Sequence, residues 1–315
     1  MRAMDLFCGA GGSSLGAAAA GVDIVAGFDV WSVAGSVYRA NFPRAWLYLC
    51  DLASLDESDI RGIHGDLGDV DLILASPPCV DHSPARGARL PSLAGLDLPW
   101  CVWRFAAVFL PRWIVVENVI GMRRWHDYRP FLCALMGLGY CVRVLVLDAA
   151  DFGVSQRRRR LYIVCDRETD PPEIAPRTPH TPVSDVIDLD GYAYAPLCMP
   201  RRARATIERV ERAICALGRD VPFISVYYGS GSQWQTLDVP LRTVTTSGHF
   251  ALVRPDRRGG HEMRMLQVDE LRRAMGFPAS FDFCGCTRTD TMRLLGNAVC
   301  PPVMQAIVEE LMRCA

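Results

Sequence analysis

Through the first 165 residues of this 315-residue chain, short apolar runs without polar alternation recur between helix-like segments. The runs lie near residues 4–7, 24–29, 47–51, 71–75, 113–117, 141–147 and 161–165, and the helical segments at 13–20, 33–41, 99–109 and 128–138. A strand that is apolar on both sides must be covered on both faces, and regular alternation with helices is the pattern of a parallel sheet. The fold class expected is therefore α/β, a doubly covered Rossmann-like sheet. The last two runs stand too close together for a helical crossover, which predicts an antiparallel hairpin at one end of the sheet.

At Asp170-Pro171-Pro172 the periodicity weakens and a stretch rich in Pro, Arg and Tyr begins. A helix at 203–217 and strands at 223–228, 241–245 and 250–253 suggest a second, smaller mixed domain. The closing segment, 302–313, reads as a helix started by proline, with Val303, Ile307, Val308 and Leu311 on one side. The division expected is 1–169 plus 294–315 for the large domain and 170–293 for the small one. The most apolar stretch, 100–116, is broken by Arg104, Pro111 and Arg112, so no membrane span is expected. A weak leader-like pattern at the N-terminus is interrupted by Asp5 and three glycines.

All 34 basic residues are Arg, set against 35 acids for a net charge of -1. A GC-rich genome explains the missing Lys economically, and so little net charge excludes nucleic-acid binding by bulk attraction; any such contact must come from local clusters. The 13 cysteines are scattered. Cys284 and Cys286 have CxC spacing, and Cys133, Cys141 and Cys165 lie inside apolar runs. That distribution predicts buried thiols in a reduced, cytoplasmic protein, with neither a disulfide framework nor a metal site.

Met4-Asp5-Leu6-Phe7-Cys8-Gly9-Ala10-Gly11-Gly12 is a strand, a glycine turn and a helix start, which lets backbone approach a nucleotide closely or simply makes a tight turn. Asp29 ends the next strand, where an acid can accept from both hydroxyls of a ribose, and Asp51 ends the third, within reach of an adenine amino group. Ser76-Pro77-Pro78-Cys79 follows the fourth strand, so a rigid turn holds a thiol at the same edge. One Cys among so many is ordinarily a small core hydrophobe, but Cys79 follows a turn. The glycine-containing segment 80–95 suits a closing lid, with Arg86 and Arg89 to meet phosphates. Glu117 ends an apolar strand, where burial favours its protonated form; capping or ion pairing is the plainer alternative. In the run 156–160, Arg158 and Arg160 alternate and can enter one site together, although such a run is usually a solvated face.

Taken together, these blocks resemble the DNA cytosine-C5 methyltransferases. The resemblance extends over nearly the whole chain, through DLFCGAGG, SPPC, the ENV triplet at Glu117-Asn118-Val119, QRRRR at 156–160, the block at 264–281 and Gly296-Asn297-Ala298-Val299. The chain departs from the pattern after Cys79, where Val80 and His82 stand in place of the usual Gln and Phe.

The resemblance implies a Rossmann-like sheet that binds S-adenosylmethionine, with Phe7, Gly9, Gly11, Asp29, Asp51, Pro77, Asn297 and Val299 about the cofactor. It also implies that the small domain recognises the target. The thiolate of Cys79 would add to C6 of a cytosine flipped out of double-stranded DNA. Glu117 would protonate N3, and Arg158 and Arg160 would attend the base or the thiolate. DNA contacts are expected from Ser83, Arg86, Gln156, Arg202 and Arg204, with Arg201, Arg257 and Arg258 as further candidates. The protein is expected to act as a monomer. An amino-group methyltransferase would carry an aromatic after Pro78, so Cys79 argues against it. A relative acting on transfer RNA, or an inactive DNA-binding regulator, shares the fold; joint retention of Cys79, Glu117 and Arg158 disfavours the second.

Overall fold

The computed structural model describes residues 1–78, 98–228 and 233–314. Strands β1 (Arg2–Leu6), β2 (Asp23–Asp29), β3 (Trp46–Leu49), β4 (Leu72–Ala75) and β5 (Trp113–Asn118) are parallel, and β6 (Cys141–Asp148) and β7 (Arg159–Asp166) complete a sheet of order β3-β2-β1-β4-β5-β7-β6. The expected antiparallel pair is present, with β7 inserted between β5 and β6 and antiparallel to both.

Successive residues of the central strands face opposite sides, and each side has its own core. Leu72, Leu74 and Val115 pack with Ala17 of α1 (Gly12–Ala19) and Val37 and Tyr38 of α2 (Ser32–Asn41). Ile73, Ala75, Ile114 and Val116 pack the other way, against α3 (Glu57–Leu67), α4 (Pro99–Phe109) and α5 (Tyr128–Gly137), through Ile60, Phe105 and Phe131. This double burial explains the unbroken apolar runs. Helix α3 escaped the sequence reading because only Ile60, Ile63 and Leu67 are buried in a polar segment with two glycines.

Beyond residue 170, β8 (Ala195–Pro196), β9 (Phe223–Val226), β10 (Trp234–Thr236), β11 (Phe250–Pro255) and β12 (His261–Met265) form an antiparallel sheet of order β10-β9-β11-β12-β8. One face is covered by α6 (Arg204–Leu217), where Val210 and Ala213 meet Phe223, Ala251 and Val253. From the other face, Ile224 and Leu252 join the core built by α7 (Val268–Ala274), α8 (Arg288–Asn297) and α9 (Pro301–Arg313). The strand expected at 241–245 is absent; Leu241 makes only an isolated bridge with Gln156, so that stretch is fastened to the segment leading into β7 instead. Strand β12 was missed because its Arg264 is buried and charged, satisfied by Glu270 at 2.6 and 2.7 Å.

Helix α9 returns to pack on α1. A Cβ at Gly16 would stand 2.3 Å from the Pro301 carbonyl oxygen, so glycine is required for this approach. The last helix is thereby fixed beside the start of the chain. No helix among the described residues is long and apolar enough to cross a membrane.

Candidate active site

Parallel strands deliver their last residues to one edge, and an antiparallel neighbour delivers its first residues to that same edge. The ends of β1, β2, β4 and β5 and the beginning of β7 accordingly surround one cavity of about 310 Å³. Its wall includes Phe7, Gly9, Asp29, Trp31, Asp51 and Pro77 at the glycine-turn side, and Glu117, Arg158 and Arg160 at the other.

The turn after β1 is held by backbone and acid together. Gly9 N–H donates to Asp29 Oδ2 at 2.8 Å, and Asp29 Oδ1 accepts from Trp31 N–H at 2.8 Å. Each oxygen of Asp29 retains a lone pair for a ligand. Phe7 has φ 59°, a left-handed conformation that costs on the order of 1–3 kcal/mol in a non-glycine residue and presents its ring to the cavity. Gly11 does not line the cavity; a Cβ there would meet Phe42 at 2.5 Å and Tyr38 at 3.1 Å, so its contribution is the packing of the turn on α2.

Beneath the turn lies a buried carboxyl. Asp5 Oδ2 accepts from Ser14 Oγ at 2.7 Å and from Ser14 N–H at 3.2 Å, and Tyr38 Oη continues the chain to Ser14 Oγ at 2.8 Å. Its Oδ1 has no hydrogen-bond partner, and burial pushes its pKa up to about 7. The folded chain thus holds this proton to near pH 7, whereas an unfolded Asp releases it near 3.8, so stability falls as pH rises between those values. An Asp5→Asn variant should lose that slope and gain up to about 4 kcal/mol at pH 8 relative to the parent. Urea unfolding at pH 5 to 8 checks this; parallel stability curves for the two proteins would refute it.

On the side of the cavity away from the glycine turn, Glu117 is buried at the penultimate position of β5, with Arg160 Nε 3.2 Å from its Oε1. Burial raises the pKa of Glu117, and Arg160 and then Arg158 oppose the rise without cancelling it. Asn118 Nδ2 donates to the Pro77 carbonyl at 3.1 Å, and Ser76 N–H donates to Leu6 O at 3.1 Å. The rigid turn leading into position 79 is thereby tied to β5 and β1. Sequence reasoning gave Asn118 no role; its only signal was its place directly after Glu117.

Arg158 also holds main chain together. It is buried, and its guanidinium donates to the carbonyls of Val244 at 3.0 Å, Gly296 at 2.8 Å and Ala298 at 2.9 Å. Burial lowers its pKa to about 10, which leaves it charged at neutral pH. It reaches the cavity wall as a brace, and Arg160 is the guanidinium that faces Glu117.

Asp51, Asn297 and Val299 also line the cavity. Gln156 does not face solvent: it is buried, its Nε2 donates to Ala274 O and its Oε1 accepts from Val244 N–H, so its amide is occupied inside the protein. Arg202 donates to the Pro196 carbonyl at 3.1 Å, and Arg204 is exposed and paired with Glu208. Cys79, Ser83, Arg86 and the lid expected at 80–95 lie outside the described residues. Among the described residues no cluster of His, Cys, Asp or Glu is arranged to hold a metal.

The family described as "C-5 cytosine-specific DNA methylase" matches residues 1–313. Type II methyltransferase M.HindV of Haemophilus influenzae is 29% identical over 311 residues, covering 95% of this chain and 92% of the relative. Type II methyltransferase M.HgiDI of Herpetosiphon aurantiacus is 28% identical over 311 residues, 95% of this chain and 90% of its own. In three dimensions, the S. pombe Dnmt2 methyltransferase superposes with a TM-score of 0.71 at 18% identity, covering 100% of this chain and 99% of that one, a likeness of fold.

Proposed function

We propose, from the premise that this chain belongs to the C-5 cytosine-specific DNA methylase family, that it transfers a methyl group from S-adenosylmethionine to C5 of a cytosine turned out of double-stranded DNA. The observation that carries this reading is the buried Glu117–Arg160 pair in the wall of the same cavity that Asp29 and the glycine turn enter. The cavity's chemistry fits the cofactor: Asp29 has lone pairs for the ribose hydroxyls, Asp51 for the adenine amino group, and Phe7, Trp31 and Leu52 offer apolar surface. S-Adenosylmethionine supplies an electrophilic methyl group on its sulfonium.

The remaining chemistry belongs to the chain. Cytosine C5 is a poor nucleophile until the thiolate of Cys79 adds to C6, and Glu117 gives its proton to N3 as that bond forms. Burial shifts Glu117 toward its protonated form, and Arg160 steadies the carboxylate left behind. Asp29, Asp51 and the glycine turn would hold the cofactor so that its methyl group is supplied to the activated C5. Loss of the C5 proton to water releases Cys79 by elimination and returns the N3 proton to Glu117. C6 is reached from a ring face covered in the duplex, so the base must leave the stack.

The small antiparallel sheet and its exposed arginines, Arg204 among them, serve target recognition in this reading, with 170–293 as the recognition region. The relatives' designation as Type II methyltransferases supports a place beside a matching nuclease. Bisulfite sequencing of DNA from cells that make the protein is the test. Protected cytosines should recur in one short sequence. Fully converted DNA, with methylation found only in transfer RNA, would overturn the choice of substrate.

A further inference from the structure

Three guanidiniums line the cavity among the described residues: Arg158, Arg160 and Arg293. Arg158 is occupied by three carbonyls, and Arg160 by the Arg159 carbonyl and Glu117. Arg293, on α8, is exposed and makes no hydrogen bond or ion pair to another described residue. Its contact is with Trp31, whose ring centroid lies 4.4 Å from the guanidinium carbon. An Arg whose guanidinium lies over a ring can keep N–H groups available, and its fork matches a carboxylate.

We propose that Arg293, held on Trp31, is the counter-charge for the carboxylate at the amino-acid end of the cofactor. The proposal rests on the S-adenosylmethionine reading given above. The carboxylates that line the cavity, Asp29, Asp51 and Glu117, cannot receive another anion, and the other two cations are committed. The platform is also fixed in place: Asp29 Oδ1 accepts from the Trp31 backbone N–H while Oδ2 accepts from Gly9. The ribose acid, the glycine turn and the Arg293 fork are therefore parts of one frame, set by the first turn and by α8, and α8 lies more than 250 residues away in sequence.

The test uses two probes that differ at this end, S-adenosylhomocysteine and 5′-methylthioadenosine, which lacks the amino acid. Calorimetry on the intact chain should show Arg293→Gln weakening S-adenosylhomocysteine by about tenfold while leaving methylthioadenosine unchanged, and Arg293→Lys falling between. Unchanged methylthioadenosine affinity also shows that the variant is folded. Equal losses on both probes would make Arg293 a cover over the adenosine, and no loss on either would leave it without a role; each result overturns the proposal alone. Wild-type protein that binds neither probe would overturn the cofactor reading and this assignment with it.

Discussion

A Cys79→Ala chain is expected to transfer no methyl groups while binding S-adenosylhomocysteine about as well as its parent. The covalent route has no substitute for the thiolate: without addition to C6, C5 of cytosine cannot displace a sulfonium methyl at a useful rate. The groups assigned to the cofactor, among them Phe7, Asp29, Asp51 and Val299, belong to other segments, so the substitution leaves them in place. The parent enzyme should also form a denaturation-resistant adduct with DNA containing 5-fluorocytosine, because fluorine does not leave as the C5 proton does. Gel electrophoresis in denaturant reads the adduct, and tritiated methyl transfer reads the rate. Turnover by the Ala variant above the level of a protein-free control would end the covalent reading.

The second large effect concerns Glu117. A Gln there preserves shape and can stay beside Arg160, but it has no proton to give, so the single-turnover rate should fall by about 10²–10⁴-fold. Cofactor affinity should hardly move. The sign of the pH dependence follows from burial, which raises the Glu117 pKa: the parent's rate should decline once the pH is high enough to remove that proton, and the Gln variant should lack this alkaline limb. A rate within about threefold of the parent would reduce Glu117 to a structural carboxylate.

The large sheet was legible because its strands are buried on both faces, and such strands are written as unbroken apolar runs. Where burial is achieved by charge, the reading failed. Arg264 of β12 and Glu270 of α7 neutralise each other in the interior, and a strand containing Arg looks like a loop when its partner is unknown. The site showed the same division. Asp29, Glu117 and the Pro77-Pro78 turn were legible as neighbours of one cavity because parallel strands end at one edge. The main-chain bonds of Gln156 and Arg158 were not legible because their acceptors, the carbonyls of Val244, Ala274, Gly296 and Ala298, carry no mark in a sequence. Arg293 went unnoticed for a related reason: its meaning depends on Trp31, at the far end of the chain.

The three acceptors of Arg158 also set rules for grafting. Two come from the GNAV segment and one from Val244, in the stretch that leads into β11. A Cβ on Gly296 would lie 2.4 Å from the Thr246 backbone nitrogen, so the two stretches touch main chain to main chain. A hybrid enzyme whose foreign recognition region was spliced in between 241 and 246 would leave a buried guanidinium short of one carbonyl and open the cofactor wall to water. Junctions placed before Leu241 and after Thr246 would carry the brace over intact, so the stretch from 241 to 246 must travel with Arg158 and the GNAV segment in any such hybrid.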